Sequence, residues 1–134
     1  MSPKDVDKNN EKLAKFLGWF RQYEDRPTWF EIMDKAIYVA CPSTRDMKFH
    51  ESLDALIPVI KKIGKLDPSD RVTHMYSVEI NGNGTSIYKS IYGKNEDRLI
   101  ARNNSRDNWA WNTWLSCVDF VDWYNEKQGY GEAV

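Results

Sequence analysis

This chain has few of the residues on which most enzyme chemistry depends. It contains only two histidines and two cysteines in 134 residues. Neither His50 nor His74 has a second histidine or a cysteine at helical spacing, and Cys41 and Cys117 are too far apart to form a paired metal motif. The chain also has no phosphate-binding loop, no dinucleotide-binding glycine motif and no H-E-x-x-H. The sequence therefore predicts no catalytic residue, no metal and no cofactor.

The chain also lacks an excess of charge of one sign and lacks long hydrophobic runs. Its 19 basic and 20 acidic side chains give a formal net charge of −1. This balance provides no general attraction for nucleic acid or for anionic membranes. No apolar run approaches the roughly 18 residues of a membrane span, and the polar N-terminal segment has no signal-peptide centre. We therefore expect a protein that binds no membrane, does not bind nucleic acid in general, and stays where it is made.

What the chain does contain is typical of one soluble globular domain. Apolar residues make up 41% of the sequence and charged residues 29%, and a chain of this length can bury a core without crosslinks. We expect a disordered tail over residues 1–8 and a single domain over residues 9–134. The two cysteines fit either a disulfide or two buried thiols.

Three segments have the apolar periodicity of helices. The first covers residues 10–20, with Asn9 or Asn10 as its cap. The second covers residues 52–63, with Ser52 as its cap, Pro58 inside it and Gly64 ending it. The last begins near Ser105 or Asp107, runs to about residue 127, and holds four of the six tryptophans.

Strand signals lie between the second and third helices. Apolar and polar residues alternate over residues 72–80, and Asn81-Gly82-Asn83-Gly84 supplies the residues that a tight hairpin turn needs. Residues 85–92 form the partner strand and residues 98–102 a third. Residues 21–49 fit either two short strands, at 28–33 and 36–40, or a long ordered loop. The predicted fold class is α+β, with a small antiparallel sheet and a hairpin at 81–84 packed against about three helices.

The richest binding signal is the segment that leads into the last helix. Arg102, Asn104, Arg106 and Trp109 combine forked cations, an amide and a ring next to a helix N-terminus, where free N–H groups favour anions. This pattern predicts a site for an anionic group. The alternative is a polar strand-to-helix connection.

Three further aromatic residues are candidate contacts for a ligand or partner. Phe120 and Trp123 lie off the main apolar stripe of the last helix, so they form either a second buried face or an exposed patch for dimerisation. Trp29 lies in the irregular segment 21–49, and long ordered loops are often functional.

Catalysis remains an alternative hypothesis. His50, next to Glu51, is a candidate general base, and Cys41 is a candidate nucleophile. Asp119 and Asp122 are three residues apart on one helix and could chelate a cation, although solvated carboxylates are the more common case.

Three segments of the chain resemble a known family. Leu13-Ala-Lys-Phe-Leu-Gly-Trp19, the block Lys48–Ile63 with its internal proline, and Trp114–Asn125 are similar to small phage proteins with an ABA-sandwich domain. The resemblance implies an α-β-α layering and a phage or prophage origin. It supplies no established catalytic residues.

The functional hypothesis combines these signals. We expect a phage-encoded, non-enzymatic binding protein that antagonises a host activity in the cytoplasm of the bacterial host cell. Its partner would be a host protein, such as a defence protein, or an anionic nucleotide-like small molecule. A small hydrolase using His50 or Cys41 and a virion accessory protein are the alternatives, and homo-oligomerisation is left open.

Overall fold

The computed structural model describes residues 1–34, 37–66, 74–91, 97–106 and 108–127. It confirms the α+β class: three helices accompany a two-stranded hairpin and a three-stranded antiparallel sheet that packs against helices. The elements in chain order are α1 (Pro3–Phe16), β1 (Trp29–Asp34), β2 (Ile37–Cys41), a 3₁₀ turn (Thr44–Asp46), α2 (Leu53–Lys65), β3 (His74–Asn81), β4 (Gly84–Ile91), β5 (Asp97–Asn103) and α3 (Trp109–Lys127).

Helix α1 begins earlier than the apolar periodicity predicted. The Ser2 hydroxyl accepts the Asp5 N–H at 3.2 Å, and the Asp5 carboxylate accepts the Ser2 N–H at 3.3 Å. This reciprocal pair is a capping box, and Pro3 occupies the first helical position, where proline is favoured. Residues 3–8, which belong to the predicted disordered tail, are helical in the structure, and Asn10 is an interior helical residue instead of a cap.

Residues 21–49 contain the two short strands that were one of the two predicted alternatives. Strands β1 and β2 pair antiparallel, and Trp29 lies opposite Cys41. Phe20 and Phe30 exchange two backbone hydrogen bonds of 2.9 and 2.8 Å, which attach the base of this hairpin to the segment after α1.

Helix α2 and the main sheet follow the predicted pattern closely. The Ser52 hydroxyl caps α2 by accepting the Ala55 N–H at 3.2 Å. Pro58 lies inside α2, and Gly64 is helical instead of ending the helix. Strands β3, β4 and β5 are adjacent and antiparallel, with Asn81 paired to Gly84 across the predicted turn. The predicted strand residues 72, 73 and 92 lie outside the described residues.

The core forms where α3 crosses the sheet and where α1 and α2 pack against α3. Tyr76 of β3 and Ile87 of β4 are buried against it, and Tyr76 meets Phe120 edge to face at 5.0 Å. The Lys12 ammonium pairs with Asp122 at 3.1 Å and ties α1 to α3. The remaining fully buried large side chains of the helices include Leu13, Leu56, Val59, Ile63, Trp114 and Val121.

Candidate functional site

A cleft lies where the β3–β4 turn meets the connection from β5 to α3. We call it the hairpin–helix cleft. Its volume is about 360 Å³, within the range of about 300–1,000 Å³ that small-molecule sites occupy. It is lined by Asn81, Gly82, Asn83, Gly84, Arg102, Asn104, Ser105, Arg106, Trp109 and Asn112.

Gly84 brings the two walls of this cleft together. Its φ angle is +112°, and a Cβ at this position would lie 2.4 Å from the Asn103 carbonyl oxygen and 2.7 Å from Asn104 Cβ. Only glycine allows the backbone to approach this closely. The turn itself is held by the Asn83 N–H, which donates to Asn81 Oδ1 at 2.8 Å. The hairpin turn therefore lies directly against the end of β5.

The backbone of Arg106 is fixed by one buried side chain. Asn112, which is 3% exposed, accepts the Arg106 N–H through Oδ1 at 3.2 Å and donates through Nδ2 to the Arg106 carbonyl at 2.7 Å. The Arg106 guanidinium then stacks over the Trp111 ring, with Cζ 3.8 Å from the ring centroid. These contacts hold an exposed cation in place before any ligand arrives.

The first turn of α3 contributes Trp109 and Asn112 to the lining of the cleft. The Asn108 side chain accepts the Trp111 N–H at 3.1 Å and acts as the helix cap. The helix therefore begins at Trp109, later than the predicted start at Ser105 or Asp107. Because the cleft lies at this helix N-terminus, the positive end of the helix dipole adds to the field of the arginines.

Polar contacts anchor α3 to the sheet below the cleft. The hydroxyls of Thr85 and Thr113 are 2.8 Å apart, and the Ser116 hydroxyl donates to the Thr85 carbonyl at 2.8 Å. The Asn103 amide donates to Ser116 at 3.0 Å and to Asp119 at 2.9 Å. Thr85, Thr113 and Ser116 are buried, so these bonds fix the position of the helix on β4 and β5.

Charge in the cleft is predominantly positive. Arg102 and Arg106 are exposed, and Trp109 is 52% exposed. Within the part of the chain that the structure describes, neither arginine forms an ion pair with a carboxylate. Among the described residues, no carboxylate therefore competes with an incoming anion for these two guanidinium groups.

The structure brings together the four residues that the sequence predicted for an anion site. Arg102, Asn104, Arg106 and Trp109 all line the cleft. Sequence reasoning missed the Asn81–Gly84 turn as the opposite wall and missed Asn112 as the residue that holds Arg106. The glycine-rich turn was visible, but its pairing with the end of β5 was not.

The other three predicted contact residues lie elsewhere. Trp29 is 1% exposed, and its indole Nε1 donates to Thr44 Oγ1 at 2.9 Å. Phe120 is fully buried, and Trp123 is half-buried against Tyr76. Phe120 and Trp123 thus form the second buried face of α3, which is one of the two alternatives that the sequence left open, and not an exposed patch. Trp29 is likewise a core residue.

The candidate catalytic residues have structural partners. His50 Nδ1 is 3.0 Å from the Asn10 amide nitrogen, and its Nε2 is 3.4 Å from Glu51. Burial and then the nearby Glu31 carboxylate raise the pKa of the Cys41 thiol, which disfavours the nucleophilic thiolate. His74 lies in β3, and its side chain lies outside the described residues.

The described residues contain neither a disulfide nor a cluster of metal-ligating side chains. Cys41 and Cys117 are both free thiols. Asp119 accepts from Asn103 and Asp122 pairs with Lys12, so the two carboxylates have separate partners. Across the described ranges, no three His, Cys, Asp or Glu side chains gather as a metal site requires.

In that same part of the chain, none of the helices combines the length and apolar character needed to cross a membrane. Comparison of the chain with protein-family models, with curated proteins and with solved structures gives no match.

Proposed function

We propose that this chain is a phage-encoded, non-enzymatic binding protein that antagonises a host activity by holding an anionic, nucleotide-like small molecule in the hairpin–helix cleft. The observation that carries the proposal is the convergence of Arg102, Arg106 and Trp109 on one cavity. The phage origin and the action in the cytoplasm of a bacterial host rest on the resemblance of residues 13–19, 48–63 and 114–125 to the ABA-sandwich proteins.

The chemistry of the cleft suits a phosphate attached to a ring. Arginine presents a planar fork of donors that matches phosphate oxygens, and the two arginines belong to different segments, β5 and the connection to α3. Trp109 offers an exposed ring on which a base can stack. The amide of Asn104 adds donors and an acceptor for the rest of the ligand.

A binding role fits these residues better than catalysis does. Cleavage of a phosphate or acyl group needs a positioned base, nucleophile or metal. The cleft-lining side chains are arginine, asparagine, serine and tryptophan, and His50 and Cys41 are not among them. A hydrolase that uses His50 or Cys41 remains the alternative class. Its active site would lie outside this cleft, since neither residue lines it.

The test is calorimetric titration with adenosine monophosphate, with adenosine as the reference that lacks the phosphate. We expect the wild-type chain to bind only the phosphorylated form measurably. A charge-assisted bond contributes about 1.5–3 kcal/mol, so Arg102→Ala with Arg106→Ala should weaken binding by about a hundredfold or more. Arg98→Ala is the matched control, since Arg98 is exposed on the same strand but lies outside the cleft.

Two results would contradict the proposal. A loss of less than about threefold in the double variant, at an unchanged thermal midpoint, would make these arginines ordinary surface residues. Affinity capture from infected host lysate provides the second test. Equal capture of one host protein by the wild type and the double variant, with no small molecule enriched by the wild type, would favour a host-protein target instead.

A further inference from the structure

A second cavity lies beside the hairpin–helix cleft, on the side of α1. We call it the α1-side cavity. Its volume is about 420 Å³. It is lined by Met1, Pro3, Val6, Asp7, Arg45, His50, Arg106 and Trp111. Arg106 lines both cavities, so the two sites meet at one cation.

The two cavities have related chemistry. Each has an arginine of its own, Arg102 in the cleft and Arg45 in the α1-side cavity. Each also has its own tryptophan, Trp109 in the first and Trp111 in the second. Because these tryptophans are two positions apart on a helix, they lie on different sides of α3. The two cavities together thus present three guanidinium groups, and the exposed Trp109 ring offers a stacking surface in the cleft.

The α1-side cavity differs in containing a carboxylate. Asp7 is half-buried there, and its charge opposes a terminal phosphate. A carboxylate instead accepts N–H or O–H groups, such as a base amino group or a ribose hydroxyl. His50 adds a ring nitrogen that is already 3.0 Å from the Asn10 amide. This cavity therefore suits a nucleoside better than a free phosphate.

Arg106 suits the junction between the two halves. Asn112 fixes its backbone through two hydrogen bonds, and Trp111 supports the face of its guanidinium at 3.8 Å. Stacking leaves the edges of the guanidinium available, and those edges carry its donors. A phosphate at this point would meet a held cation that belongs to the residue shared by the two linings.

We infer that the ligand spans both cavities: a dinucleotide, with one nucleoside in each cavity and the linking phosphate at Arg106. This inference rests on the proposed function, because it assigns a ligand class to the same cleft. A mononucleotide fills only one cavity and leaves the other, with Arg45 and Trp111, in contact with water. A linked second nucleoside binds as part of the same molecule, which raises affinity without a second association step.

The test compares adenylyl-adenosine, a dinucleotide with one linking phosphate, with adenosine monophosphate by calorimetry. We expect the wild type to bind the dinucleotide about tenfold or more tightly than the mononucleotide. Arg45→Ala should remove most of that advantage while changing mononucleotide affinity by less than about twofold. Arg102→Ala should weaken both ligands. Arg98 lines neither cavity, so Arg98→Ala should change neither affinity. Thermal midpoints establish that every variant is folded.

The outcomes separate the two proposals. Equal affinities for the two ligands in the wild type, with no effect of Arg45→Ala, would overturn the dinucleotide inference and leave the mononucleotide function intact. An equal loss of both ligands in Arg45→Ala would also overturn it, because Arg45 would then act through long-range charge alone. If the wild type binds neither ligand, both proposals are wrong.

Discussion

The two β units of this protein are built from similar residues but differ in what covers them. In the three-stranded sheet, Tyr76 and Ile87 are 1% and 0% exposed because α3 crosses them. In the β1–β2 hairpin, Ile32, Met33 and Ile37 are 56%, 62% and 61% exposed. Strand-forming residues therefore produce strands in both places, but they produce a core only where a helix covers the strands.

The hairpin is nevertheless attached firmly at one end. Trp29, at its base, is buried and donates to Thr44, and Phe30 is paired with Phe20 through the backbone. The exposed apolar residues lie toward the other end. Stability in this molecule should therefore depend on the sheet under α3 and on the hairpin base, and only weakly on the rest of the hairpin.

An isoleucine pair tests this difference directly and should give the largest effect. Ile87→Ala, in β4, should lower the free energy of unfolding by about 2–5 kcal/mol, because it opens a cavity under α3. Ile37→Ala, in β2, should change it by less than about 0.5 kcal/mol. Urea unfolding of the two variants measures both values. A large cost at Ile37 would mean that the hairpin is covered in solution, and sedimentation would then show whether a second copy covers it.

A glycine pair tests the turn of the covered sheet. Gly84→Ala should cost about 1–3 kcal/mol, since the residue has positive φ and its Cβ would collide with the Asn103 carbonyl. Gly82→Ala is the control in the same turn, because nothing lies within 4 Å of a Cβ there. Thermal unfolding compares the two. Similar costs for both would contradict the close approach of the hairpin turn to β5.

The two cysteines provide a further comparison between the covered sheet and the exposed hairpin, with a smaller expected effect. Burial raises the pKa of Cys117 in α3 to about 12, whereas Cys41 in β2 is only partly buried. A thiol reagent at mildly alkaline pH should modify Cys41 first and Cys117 only on unfolding.

The same pKa gives a pH dependence with a definite sign. Between the ordinary thiol pKa of 9.0 and about 12, the folded chain keeps the Cys117 proton that the unfolded chain loses. Stability should therefore fall as pH rises through this window. Cys117→Ala should show a weaker fall. An equal fall in the variant, or modification of Cys117 before Cys41, would contradict the burial of this thiol.

Local chemistry explains why much of the fold was predictable. Alternation over residues 74–80 and the Asn81–Gly84 turn define the hairpin, because side-chain period and positive φ are properties of short segments. The caps at Ser52 and Asn108 follow the same logic, although Asn108 was not recognised. Helix α1 was misplaced because its start depends on the Ser2–Asp5 capping box, which apolar periodicity does not detect.

The candidate site likewise has a part that the sequence predicted and a part that it did not. Arg102, Asn104, Arg106 and Trp109 are neighbours in sequence, so their grouping followed from the chain itself. The burial of the other aromatic residues did not follow from the sequence. Trp109 and Trp114 lie on one helix, yet the first is 52% exposed and the second 0%. Side-chain type alone cannot separate them, because burial depends on which elements pack against each face.

Near neighbours in the sequence were enough to predict α2, the β3–β4 hairpin and the cluster of cationic and aromatic residues before α3, since these depend on local contacts. The sequence did not show that the 81–84 turn forms the other wall of the cleft, that Asn112 fixes Arg106, or that Arg106 lines two cavities; these follow from how the elements pack. The first and the last of these relations arise between segments far apart in the chain. They exist because the sheet, α1 and α3 bury a common core and thereby set the distances at the surface.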